Sequence, residues 1–185
     1  MIPKVEVPQI TLPSLEGIPG FFLNCLVAWI NIMIQSILNP AILWLTLPIY
    51  FSWFVTELFG EKDETSYGNA ATNAMITFYV ALDWIRQMYY GEIAMTYWKV
   101  ALAVVFLLYG LFVVRESIVQ NPVAKYLGAI RTVSYFQIVF TVLFYSEYTG
   151  IGFSLESLVG ILLGYPIVYS VNRLVDKLLP EVVEE

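Results

Sequence analysis

Residues 21–59 are almost uninterruptedly apolar, and their one obvious break is the Asn39-Pro40 pair in "SILNPAILW". An α-helix needs roughly 20 apolar residues to cross the hydrocarbon core of a bilayer. A run of this length is therefore two spans joined by a tight turn, one long span with a kink, or a span leading to a half-helix whose tip lines a pore. Asparagine tolerates turn conformations, and the residue before a proline is pushed out of the helical region. The pair accordingly reads as a tight outer turn between two spans.

The rest of the chain follows the same pattern. Apolar runs at 41–59, 70–88, 94–114, 128–146 and 152–172 join 21–38, with polar punctuation at "GEKDETSYGN", "QMYYGEI", "RESIVQNPVAK" and "YSEYTGIG". Of the 185 residues, 59% are hydrophobic and 13% charged. A soluble domain carries about a quarter of its residues as charges, so here the apolar surface must face lipid. The expected fold is an all-α integral membrane protein: a polytopic bundle of about six transmembrane helices, or five if 21–59 is one broken span. Residues 1–20 form a polar, interfacial segment with Lys4, Glu6, Glu16 and four prolines, residues 21–172 the bundle, and residues 173–185 an acidic cytoplasmic tail. The first twenty residues lack the basic region and adjoining apolar core of a cleaved signal peptide.

Charge orients the bundle. With six spans and a cytoplasmic N-terminus, Lys4, Lys62, Arg115, Lys125, Arg131, Arg173 and Lys177 lie on one side, against Arg86 and Lys99 on the other. A single broken span at 21–59 would move Lys4 alone to the other side. The positive-inside bias places both termini in the cytoplasm of a multi-pass cell-membrane protein. Trp84, Tyr89, Tyr90, Tyr97 and Trp98 bracket one short outer loop, where amphipathic rings settle at the headgroups.

Polar groups within spans must find partners, so they are the informative exceptions. Asn24, Asn31 and Gln35, with Asn39 beyond them, share one face of the first span. Such amides either bond neighbouring helices or line a wet, solute-bearing path. Asp83 and Arg86 lie three apart near the outer end of the third span. They form either a helix-end ion pair or, with Glu156, a charge group that gates or couples an ion. Glu57 and Arg131 lie at similar depth on the inner side and form a candidate ion pair. On the last span Gly152, Glu156, Gly160 and Gly164 recur every four residues. The three glycines make a helix-packing face whose small residues let another backbone approach, within the chain or from a second copy. Pro48 and Pro166 should kink their spans.

A second Asn-Pro, in "ESIVQNPVAKY", echoes "QSILNPAILW", and "FVTELFGE" is loosely echoed by "VFTVLFYSE". These offsets would split six spans into two sets of three, and three-span repeats must be inverted, as in transporters and some channels. Asn39-Pro40-Ala41 also resembles the Asn-Pro-Ala motif of aquaporins, where two half-helices meet mid-membrane and the asparagine amides orient water. The chain departs from that family in three ways: one span instead of two precedes the first copy, Val123-Ala124-Lys125 follows the second where the family has its arginine, and 185 residues do not hold six spans plus two half-helices. The match is read as coincidence.

The chain has no histidine and a single cysteine, Cys25. That removes histidine-ligated haem, histidine-rich zinc sites, Cys–His nucleophiles and intramolecular disulfides. There is no Gly-x-Ser-x-Gly, no His-Glu-x-x-His and no phosphate-cradling glycine loop. A net charge of −6 provides no electrostatic footprint for nucleic acid. No cofactor is expected, and the partners are the bilayer and other membrane helices. Two functions stay open. The first is a non-enzymatic structural or accessory bundle in a homo-oligomer or larger membrane complex. The second is a small channel or transporter for an ion or small solute, built from two inverted three-helix repeats.

Overall fold

The computed structural model describes residues 7–11, 17–58 and 65–178, without the side chains of 57, 58 and 175–178. Among these residues all regular structure is helical: α1 (Ile18–Leu38), α2 (Pro40–Leu58), α3 (Tyr67–Tyr89), α4 (Tyr97–Ile118), α5 (Val123–Leu127), α6 (Ile130–Phe144), α7 (Ser146–Thr149) and α8 (Leu155–Leu178). Three stretches, Ile18–Leu38, Tyr97–Ile118 and Leu155–Leu174, are long and apolar enough to cross a membrane. Shorter apolar helices cover Pro40–Thr56 and Ile130–Phe144. This is the make-up of a helical membrane protein.

The fifth expected run, 128–146, comes out shorter, as the 15-residue α6 between the single turns of α5 and α7. Gly128 explains its late start. A Cβ there would lie 2.5 Å from the Cβ of Ala70, so the chain passes too close to α3 for a side chain. The last run begins at Leu155, after Gly150 in the left-handed region at φ 68°, which only glycine adopts freely. Both α2 and α8 continue through their prolines, Pro48 and Pro166.

Local chemistry sets the helix starts. Asn39 closes α1 with extended geometry (φ −83°, ψ 112°), and its Oδ1 accepts the Ala41 N–H at 3.1 Å, capping α2. Thr46 Oγ1 donates to the Ser36 carbonyl at 2.9 Å, so the first turns of α2 fold back beside the last turn of α1. Asn121 repeats the device: its Oδ1 accepts the Val123 N–H at 3.1 Å, and its Nδ2 donates to Glu116 Oε2 at 2.7 Å. Ser66 Oγ accepts the Asn69 N–H at the start of α3, and Ser154 Oγ accepts the Ser157 N–H at the start of α8, both at 3.1 Å. Replacing Ser66 by alanine removes the one side-chain cap of α3 and costs about 1 kcal/mol. Thermal unfolding in detergent should show this as a small downward shift of Tm with no change in helical content.

The described residues divide into two compact units, with the boundaries inside α2 (Ile49/Tyr50) and inside α6 (Gln137/Ile138). In the unit from Tyr50 to Gln137, α3 and α4 form an antiparallel hairpin. Ala70, Ala74, Thr77, Ala81, Trp84 and Met88 make the buried stripe of α3, at alternating spacings of four and three. Lys99, Ala103, Phe106, Gly110 and Val113 form its counterpart on α4. This is heptad spacing, which keeps one seam facing the partner helix. Trp84 packs on Phe106 with ring centroids 5.0 Å apart, and a Cβ on Gly110 would come within 2.9 Å of the Ala74 carbonyl oxygen. Buried amides tie α6 and its approach to α3: Gln137 Nε2 donates to Thr77 Oγ1 at 2.6 Å, and Asn73 Nδ2 to the Gly128 carbonyl at 2.9 Å.

In the other unit α1 packs on α8. Gly160 faces the Cys25 carbonyl and Gly164 the indole of Trp29, both with no room for a Cβ. The Gly160-x-x-x-Gly164 face is thus occupied from within the chain. Gly152 lies outside it, in the loop before α8 with open space around it, because the helix starts three residues later than the four-residue spacing implies.

Candidate functional site: the amide stripe of α1

Asn31 and Gln35 are the buried amides of α1, 8% and 1% exposed, and Asn39 at its end is 1% exposed. An amide in an apolar setting costs several kcal/mol unless its donors and acceptor are met. The partner is the chain's own N-terminal segment. Asn31 Oδ1 accepts the Ile10 N–H at 2.8 Å, and Asn31 Nδ2 donates to the Ile10 carbonyl at 2.9 Å. A single side chain thereby pairs with both polar groups of one residue, as a neighbouring strand would. One turn further on, Gln35 Nε2 donates to the Val7 carbonyl at 3.3 Å. Asn39 Nδ2 donates to Gln35 Oε1 and to the Tyr148 carbonyl, both at 3.1 Å, while its oxygen caps α2. Gln9 Nε2 donates to the Thr149 carbonyl at 3.0 Å, fastening the segment on its other side to α7.

Residues 7–10 thus lie in a slot whose walls are the amide stripe and the α7 turn. From Asn31 to Asn39 the stripe runs about 12 Å along the helix axis, at about 1.5 Å per residue. Non-helical backbone inside a membrane protein is tolerated where protein satisfies it. Here the amides meet the Ile10 and Val7 backbone that helix formation leaves unmet.

The other expected site residues lie elsewhere. Asn24 is on the same face but exposed, near the start of α1, and is separate from the slot. Asp83 Oδ1 accepts from Arg86 Nη2 as an i, i+3 ion pair within α3, with Arg86 largely exposed. Glu156 stands exposed in the first turn of α8, in the other unit. Arg131 is half-buried at the start of α6, and the side chain of Glu57, its expected partner, lies outside the described residues.

Several buried polar groups escaped the sequence reading. Lys99 is 1% exposed, with its Nζ 5.4 Å from the centroid of the Trp98 ring. Glu116 is 5% exposed and bonded by Arg115 and Asn121. Ser134 and Thr141, on α6, are buried with hydroxyls that have no hydrogen-bond partner among the described residues. Among the described residues no three histidine, cysteine, aspartate or glutamate side chains gather where they could hold a metal ion.

The fold and the slot define a helical membrane protein whose main polar stripe is answered by its own backbone. Compared with protein-family models, curated proteins and solved structures, the chain matches none.

Proposed function

We propose that this protein is a non-enzymatic, multi-pass bundle of the cell membrane that serves as a structural or accessory subunit of a membrane assembly. The observation that carries the reading is the engagement of Asn31, Gln35 and Asn39 by backbone groups of the same chain. Their amides are taken up as internal glue, which leaves them no free donor row to lead a solute along α1. Six spans with both termini cytoplasmic fit the charge distribution, the three long apolar stretches being joined by the shorter α2 and α6 and by the long but less apolar α3. The wide apolar surface left exposed on α2 and α4, including Trp44, Phe51, Phe54, Val105 and Leu108, suits lipid and neighbouring helices. Native mass spectrometry from a mild detergent tests this reading. A defined homo-oligomer or a complex with another membrane protein is expected, and a clean monomer overturns it.

A second reading, a small channel or transporter, has its own support. Buried hydroxyls on α6 that lack a protein partner among the described residues suit contact with water or a solute. The pairing of α1 with α8 and of α3 with α4, together with the twofold use of Asn-Pro and serine caps, suits two inverted sets of three helices.

A further inference from the structure

We propose that the amide stripe of α1 is a binding site for an extended polypeptide backbone, and that the resident segment, residues 7–10, is exchangeable for the same segment of a second copy. The inference goes beyond the scaffold reading and does not depend on it. The site reads main chain. Within the segment, among the described residues, Asn31 meets the N–H and C=O of Ile10 and Gln35 Nε2 meets the Val7 carbonyl, while Gln35 Oε1 accepts from Asn39. Any residue with a free N–H at the position of Ile10 satisfies it.

The side chains of the segment add little. Ile10 is 43% exposed, Pro8, Gln9 and Thr11 are exposed as well and Val7 is half-buried, so hydrogen bonds more than apolar burial hold the segment down. Pro8 brings no N–H that needs a partner in the slot. The hydrogen bond from Gln9 to the Thr149 carbonyl beside Gly150 comes from the segment itself and travels with it. An identical segment from a second copy makes identical bonds, which is the condition for a low-cost swap.

Ile10→Pro separates this from a fixed structural contact, because it removes the N–H that Asn31 accepts from while Ile10→Ala keeps it. In lipid nanodiscs, full-length Ile10→Pro protein is titrated with a fluorescein-labelled synthetic peptide of residues 1–16. Saturable binding is expected, weakened about tenfold or more when the peptide carries proline in place of Ile10, and lost when Asn31→Leu is added to the protein. Equal binding of the two peptides, or binding of neither by the folded variant, overturns the proposal. Hydrogen exchange on the unaltered chain gives a test that needs no variant. Local opening of the segment should let the amides of residues 9–11 exchange about 100-fold faster than those around Ile32 in α1. Exchange of both at one common rate overturns it.

Discussion

Gly160→Ala lowers the melting temperature of the protein sharply, while Gly152→Ala leaves it unchanged. A Cβ on Gly160 would lie 2.2 Å from the Cys25 carbonyl oxygen and 3.3 Å from Trp29 Cβ. The first of these is backbone, which cannot swing aside, so α8 must move off α1 along the contact. Forced overpacking of this kind costs about 1–3 kcal/mol, and Gly160→Val costs more. Gly164→Ala meets the Trp29 ring at 2.2 Å instead. The indole can re-orient, so its loss should be smaller than that of Gly160→Ala. Gly152 has nothing within 4 Å of its Cβ position. Thermal unfolding of the four variants in one detergent, followed by circular dichroism, checks the ranking. Equal loss for Gly152→Ala and Gly160→Ala would show that the α1–α8 contact does not govern stability.

Asn31→Leu is the second large effect. It removes two hydrogen bonds and leaves the Ile10 N–H and C=O against an apolar side chain. Each unmet buried backbone group costs about 1–3 kcal/mol. The segment escapes that cost by leaving the slot. The expected result is release of residues 7–11, seen as rapid cleavage before α1 by a broad-specificity protease, with the helical bundle intact. Asn31→Asp keeps an acceptor for the Ile10 N–H but loses the donor to its carbonyl, and it should release the segment less fully. Unchanged protection in Asn31→Leu would mean that other contacts hold the segment.

The helices are legible because long apolar runs, Asn-Pro pairs and polar punctuation determine them locally. The shared face of Asn31 and Gln35 followed from their spacing of four, and so did the packing role of Gly160 and Gly164. The partner of each stripe was not legible, because pairing is a tertiary fact that helical periodicity does not carry. Periodicity alone could not tell that Gly160 meets Cys25 within the chain and not a second copy. The N-terminal segment was read as interfacial on the strength of its prolines. The signal that could have placed it is the same one: a proline-rich extended stretch leaves N–H and C=O groups unmet, and buried amides one turn apart are a means of meeting them. In the sequence Lys99 counts only as an outer-side charge, and Glu116 falls in the polar stretch "RESIVQNPVAK". Their burial follows from the α3–α4 seam and the Asn121 turn, which no local pattern announces.

The most direct test of the central claim, that the α1 amides serve the chain's own backbone and not a solute, is flux through reconstituted liposomes. Wild type and Asn31→Leu would be compared for water, small neutral solutes and monovalent ions by stopped-flow light scattering and ion-sensitive dyes. The account predicts no flux above protein-free vesicles for either protein. Flux carried by wild type and abolished in a folded Asn31→Leu variant would contradict it and make the stripe a conduit.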